Sequence, residues 1–232
     1  WSRQLERALG AFDRPTALRS AGVLERFRQQ STFSVTDLEL FGDCSALWFI
    51  DRCLSPREID AKVDPRLRGS IAHQALYRFY SGLPKELGVD HVPSERIEEA
   101  VKFLHDCVGD ALAGQARVEL TELERLELGA GLRRDLEHFV RSDVALGLPL
   151  VPSRFEVAFG SDRAAPELQR GLQLGDFAVS GKIDRVDVDP FSAYGIVQDY
   201  KSGRAHSAAR IQADGRLQIP LYVMALRDLL GI

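Results

Sequence analysis

The sequence predicts an α/β (α+β) fold, and three observations predict it. Period-two stretches fall between Arg154 and Lys201, apolar residues recur at helical spacing on both sides of them, and Asp189-Pro-Phe-Ser-Ala supplies turn residues between two of the strands. The central piece runs from Gly181 to Gly203. In its first half Val186 and Val188 alternate with polar neighbours, and Ile196 and Val197 lead an apolar-rich second half, so the two read as a hairpin around residues 189–193. Residues two apart on a strand share a face. Asp199 and Lys201 are therefore expected on one side and Tyr200 on the other, with Asp184 on the neighbouring strand.

The remaining elements follow in order. Residues 1–31 carry Leu5, Leu9 and Phe12 at helical spacing with Pro15 as a break, and read as a surface helix or docking segment. Ser34 or Thr36 is placed to cap a helix whose apolar face takes in Leu38, Leu40, Phe41, Leu47, Trp48, Phe49 and Leu54, with Cys44 and Cys53 as small core residues. A helix starting near Ser70 has Ile71, Ala75, Leu76 and Phe79 as its stripe, and His73 falls between them. Taken alone, such a histidine is ordinarily structural. Residues 84–150 read as a helical insertion: one helix from Pro93-Ser94 to about Leu112, a second from about Thr121 to Val144. Phe155, Val157 and Phe159 alternate with Glu156 in a strand, residues 161–171 form a polar, Pro-containing mobile loop, and 172–187 return into the strand bearing Asp184. A last helix from about Ala213 to Leu230 buries Leu217, Leu221, Met224, Ala225 and Leu229, puts Gln218 and Tyr222 four apart beside that stripe, and ends at Gly231.

At 232 residues, with 45% hydrophobic and 28% charged residues, the chain is long enough for a substantial core. No apolar run is long enough for a membrane span, and no signal-peptide pattern opens the chain. Three cysteines without a CxxC pattern point away from a disulfide framework and towards a reducing, cytoplasmic compartment. The net charge of −4 excludes no class of partner, because a basic groove can sit on an acidic domain. Trp1 in place of an initiating methionine reads as the start of an excised piece.

Two carboxylates and a lysine converging at a sheet surface suit a hard divalent cation with an ammonium beside it. An isolated Asp-x-Lys is commonplace and usually a surface ion pair. Asp184 on the preceding strand and the Gln218/Tyr222 helix behind it raise this one above that background. Gly175 to Lys182 has the outline of a phosphate-binding loop, but five residues separate its glycines and Ile183 stands where a hydroxyl belongs, so no ATPase is expected in this chain.

Gly69-Ser-Ile-Ala-His73, Gly181-Lys-Ile-Asp184, Asp199-Tyr-Lys201 and Gln218-Ile-Pro-Leu-Tyr222 resemble, in order, the GxxxH, GxxD, (D/E)xK and QxxxY motifs of RecB-type nucleases in the PD-(D/E)XK superfamily. The resemblance covers roughly residues 33 to 230. It implies a restriction-endonuclease-like mixed sheet flanked by helices. It also implies a domain over 32–232 with the 84–150 insertion, truncated at its C-terminus because the strands that relatives place after QxxxY are absent. It implies Mg²⁺ or Mn²⁺ bound by His73, Asp184, Asp199 and the Tyr200 carbonyl, with Glu156 as a further carboxylate. Lys201 would act on the attacking water, and Gln218 and Tyr222 would position the DNA or the catalytic groups. The iron–sulfur cluster of some relatives is not supported, since Cys44 has a suitable upstream place but no cysteine follows residue 107. Lys182, Arg185, Arg204 and Arg210, with His206 and Arg216, are the candidate phosphate contacts. The implied function is a metal-dependent DNA nuclease, an exonuclease on single-stranded or duplex ends, acting in DNA repair beside a helicase subunit or helicase region. A catalytically silent DNA-end-binding module of the same fold is the alternative, and a metal hydrolase of another substrate class is a third.

Overall fold

The computed structural model describes residues 18–55, 65–115, 120–201 and 208–232. Its elements are α1 (Ala21–Arg28), β1 (Thr32–Ser34), α2 (Val35–Asp43), α3 (Ser45–Phe49), α4 (Pro65–Glu86), α5 (Ile97–Ala113), α6 (Glu122–Ala145), β2 (Val151–Phe159), β3 (Leu172–Leu174), β4 (Phe177–Val188), β5 (Gly195–Gln198), α7 (Ala208–Ala213) and α8 (Gln218–Leu230). Among the described residues every other strand pairs with β4. β1 runs parallel to it, while β2, β3 and β5 run antiparallel, so the five-stranded sheet is mixed. The β4–β5 hairpin forms around the Asp189-Pro turn, where Asp189 accepts from the Phe191 N–H and the Ser192 hydroxyl.

Two apolar clusters sandwich the sheet. On one side α4, α5 and α6 bury Ile71, Phe79, Leu83, Leu104, Val108, Leu132 and Val140, and Phe155 and Tyr200 pack against them. On the other, Val179, Ile183 and Val186 of β4 meet Val35, Phe159, Leu221, Tyr222 and Ala225. Each buried Val, Leu, Ile or Phe among them contributes about 1.5–3 kcal/mol on leaving water. α5 and α6 thus pack with α4 as a helical layer on the sheet. No helix among the described residues is long and apolar enough to cross a membrane.

Several expected elements take a different form. The helix at Ser34 is capped there, with a Ser34–Asp37 capping box, but it breaks at Cys44, which is extended at φ −163°. A short α3 and a π-turn over Ile50–Leu54 follow. The expected single apolar face is therefore not formed: Val35 and Trp48 are buried, while Phe41, Leu47 and Leu54 are exposed. Cys44 is exposed and Cys53 only half-buried, so neither is a core residue. The helix expected from Ser70 is already formed at Pro65. The helix expected from about Ala213 begins later, at Gln218: Ala213 instead ends the short α7, and Gly215, whose φ of +60° is left-handed, lies between the two. Consequently Leu217 is an exposed N-cap and Tyr222 itself enters the buried face; Gly231 does form the left-handed C-cap. The 161–171 link was expected to be a mobile loop, but it buries Ala164 and Leu168 and contains a 3₁₀ turn. The expected 1–31 segment is helical over Ala21–Arg28, and its residues 1–17 lie outside the described residues.

Arg185 is the largest correction. It was expected to contact phosphate, yet it is 1% exposed. Its Nη2 donates to Asp143 of α6 (3.0 Å) and Asp187 (2.7 Å), and its guanidinium lies 4.0 Å from the centre of the Tyr80 ring on α4. Tyr80 donates in turn to Asp143 at 2.7 Å. This network ties the helical layer to the sheet. Removing one partner of a buried ion pair leaves the other charge uncompensated. Arg185→Ala is expected to lower unfolding free energy by about 3–5 kcal/mol in urea titrations, whereas the same change at the exposed, paired Arg227 is expected to shift it by less than about 1 kcal/mol.

Candidate active site

The site is built where β4, β5 and two helices meet. Asp184 lies on β4 and is only 7% exposed. Its Oδ1 lies 3.2 Å from His73 Nδ1 on α4, and its Oδ2 accepts from the Tyr200 N–H at 2.7 Å. The other ring nitrogen of His73, Nε2, is 2.9 Å from the Tyr200 carbonyl. Both ring nitrogens thus face acceptors, an arrangement that favours the imidazolium. The hydrogen bond to Asp184 is the main cause raising the His73 pKa, against an opposing effect of burial.

The second half of the site follows from the hairpin. β5 ends at Gln198, so Asp199, Tyr200 and Lys201 continue beyond the strand. They keep the expected alternation. Asp199 Oδ2 and Lys201 Nζ meet at 2.7 Å on one side, and the Tyr200 ring turns the other way against Phe139 and His73. Gln218, at the start of α8, joins the two charged groups: its Nε2 donates to Asp199 Oδ1 at 2.9 Å, and its Oε1 accepts from Lys201 Nζ at 2.7 Å. The same Nε2 lies 3.3 Å from the Tyr222 hydroxyl. Burial raises the Asp199 pKa, opposed by the hydrogen bond from Lys201. Burial likewise raises that of Tyr222, opposed by Gln218.

His73, Glu156 and Asp184 each offer a ligand atom, all within 4.8 Å of one another. Glu156 is unusual in its backbone, with φ of 53° in the left-handed region. That conformation shifts the phase of β2. Phe155, Val157 and Phe159 were expected on one face, but Phe155 packs into the helical layer while Val157 and Phe159 pack on the opposite side of the sheet. Glu156 consequently turns towards His73 and Asp184. A non-glycine residue held left-handed costs on the order of 1–3 kcal/mol, and such strain clusters at functional sites. The Glu156 Oε2 pairs with Lys182, while Oε1 is buried without a partner. A buried carboxylate oxygen lacking a donor, beside an imidazole and a second carboxylate, fits a hard divalent cation.

Asp199 is not brought into that three-residue group, being engaged by Lys201 and Gln218, but its charge acts on His73, and the charge of Asp184 in turn bears on Asp199. Two clefts open on the centre. One, of about 760 Å³, is lined by Arg66, Ser70, His73, Tyr77, Glu156 and Lys182; the other, of about 230 Å³, by Glu39, Asp199, Lys201, Arg216 and Gln218. Of the expected phosphate contacts, Lys182 lies in the first cleft, Arg185 is buried as described, and Arg216 lies in the second, paired with Asp43 at 2.7 Å. Arg204 and His206 lie outside the described residues, and Arg210 falls in α7. Sequence reasoning missed Arg66, Phe139 and Glu39. Glu39 Oε1 accepts the backbone N–H groups of Leu217 and Gln218, 178 and 179 positions away, a separation that leaves no local signal.

Residues 32–231 match the profile of the family described as PD-(D/E)XK nuclease superfamily. Two curated proteins, from Thermoanaerobacter sp. (strain X514) and Thermoanaerobacter pseudethanolicus (strain ATCC 33223 / 39E), are each named as a subunit of an ATP-dependent helicase/deoxyribonuclease, and each is 29% identical to the chain over 240 residues. Each match covers 98% of this chain and 21% of the relative, so the chain spans about a fifth of their length.

The donor set makes a direct prediction. Calorimetric titration with Mn²⁺ is expected to show binding that Asp184→Asn weakens by about tenfold or more, while Lys201→Ala, which removes no ligand atom, changes it by less than about threefold.

Proposed function

The chain belongs to the PD-(D/E)XK nuclease superfamily, and from that premise we propose that it is a divalent-metal-dependent deoxyribonuclease acting on DNA ends. The observation that carries the proposal is the convergence of His73, Glu156 and Asp184 on one point, with the Asp199–Lys201–Gln218 cluster beside it. His73, Glu156 and Asp184 would hold Mg²⁺ or Mn²⁺, with Asp199 and the Tyr200 carbonyl as further ligands. The bound ion would neutralise phosphate charge and acidify a water.

The residues of the chain do the rest. Lys201 would orient the attacking water and hold positive charge against the phosphate oxygens. Gln218 fixes Lys201 and Asp199 relative to each other through a single amide, so the ammonium stays in register with the carboxylates. Tyr222 presents its hydroxyl to the same amide. Lys182 and Arg66 in the wider cleft would receive the sugar–phosphate backbone. With no base-reading motif in the sequence, contacts to the backbone imply little sequence preference.

The names of the two similar proteins pair a helicase with a deoxyribonuclease, which supports a role for this chain beside a helicase in DNA repair. The test is cleavage of end-labelled single- and double-stranded DNA with Mg²⁺, Mn²⁺ or EDTA. Cutting is expected only with metal, and Asp184→Ala or Lys201→Ala is expected to reduce it by about 10²-fold or more. The product ladder reads the polarity. Undiminished cutting by both variants would sink the assignment, and salt-sensitive DNA binding without any cutting would instead favour a silent end-binding module.

A further inference from the structure

Gln218 can hold Lys201 and Asp199 in register only if its own backbone is fixed, and α8 is poorly equipped to fix it. The first N–H groups of a helix lack intrahelical partners and call for a cap. The N-cap of α8 is Leu217, whose side chain accepts nothing. Pro220 in the first turn has no N–H, which leaves the Leu217, Gln218 and Ile219 groups to be satisfied from elsewhere. Glu39 Oε1 takes two of them, at 2.8 Å from Leu217 N and 2.9 Å from Gln218 N. The carboxylate also opposes the positive end of the helix dipole. A second tie between the same elements, Arg216 to Asp43 at 2.7 Å, sets α2 against the start of α8.

We propose that Glu39 is a positioning residue for the reaction: by binding the Gln218 backbone it fixes the side-chain amide that orients Lys201 and Asp199. This rests on the nuclease reading above. The path is short and continuous, running from the Glu39 carboxylate to the Gln218 N–H, from there to the Gln218 amide, and from the amide to the ammonium of Lys201 (2.7 Å) and the carboxylate of Asp199 (2.9 Å). What Glu39 supplies is an acceptor oxygen at that place. A glutamine there keeps such an oxygen, whereas a leucine of similar size does not.

The experiment compares Glu39→Gln, Glu39→Leu, Gln218→Ala and the Glu39→Leu/Gln218→Ala pair in the metal-dependent cleavage assay, with thermal unfolding recorded for each. Glu39→Leu is expected to lower kcat about tenfold or more with KM within about twofold, because a small misplacement of a catalytic group is costly while substrate contacts are unchanged. Glu39→Gln is expected to stay within about threefold of the parent protein, and in the Gln218→Ala background Glu39→Leu is expected to cost less than about twofold further. A merely stabilising cap would move unfolding without this non-additivity. Glu39→Gln as damaging as Glu39→Leu, or a leucine penalty undiminished by Gln218→Ala, overturns the proposal. A second readout needs no turnover: the ¹⁵N-labelled Gln218 side-chain amide, identified by its loss in Gln218→Ala, is expected to shift in Glu39→Leu and return in Glu39→Gln. An unmoved resonance overturns the positioning role. If the parent protein fails to cut DNA, the nuclease reading falls while this resonance still decides whether Glu39 fixes Gln218.

Discussion

Asp184 is a carboxylate held in the middle of a sheet, on the strand with which the other four strands among the described residues pair, and much of the molecule is arranged to keep it there. At 7% exposure it has little water to solvate its charge, so its oxygens must be met by protein groups or by a cation. His73 on α4 meets one oxygen and the Tyr200 N–H meets the other. Those two contacts require the helical layer on one side of the sheet and the β4–β5 hairpin to reach the same point. The Arg185–Asp143–Tyr80 network, one residue further along β4, ties that helical layer to the sheet. The buried Glu156 oxygen without a donor shows that His73 and Tyr200 do not satisfy the whole cluster. A divalent cation would complete it.

The site divides its work between its two halves. On the α4 side, His73, Glu156 and Asp184 are ligand-like, close together and set on regular elements or a strained one. On the α8 side, Asp199, Lys201 and Gln218 form a hydrogen-bonded triangle whose members lie beyond the end of a strand and at the first turn of a helix. Such positions are more easily displaced than those inside a sheet. The tie from Glu39 to the Gln218 backbone therefore bears on chemistry as well as on the stability of α8.

How much of this was legible in the sequence depended on how local each cause was. The period-two rule placed Asp199 and Lys201 together and Tyr200 opposite, because three consecutive extended residues carry that information themselves. The turn at Asp189-Pro announced the hairpin, and Ser34 or Thr36 ahead of an apolar helical stretch announced a helix start. What was hidden came from tertiary context. An arginine beside the motif aspartate reads as a phosphate contact until Asp143 and Tyr80, from two separate helices, are seen to enclose it. The left-handed Glu156 follows no glycine signal, so the phase change in β2 was invisible and Phe155 was placed on the wrong face. The capping of α8 by Glu39 spans 179 positions, beyond any motif window. The break at Cys44 interrupts an otherwise continuous helical periodicity, which is why α2 and α3 read as one helix, and the left-handed Gly215 delays the start of the last helix to Gln218.

Whether Asp184, Glu156 and His73 form a divalent-cation site is tested most directly by locating the ion. Crystals of the protein grown with Mn²⁺ and measured at the manganese absorption edge should give an anomalous difference peak within coordinating distance of His73, Glu156 and Asp184, lost in Asp184→Asn. A manganese peak elsewhere, or none at concentrations that saturate the calorimetric titration, would contradict the account.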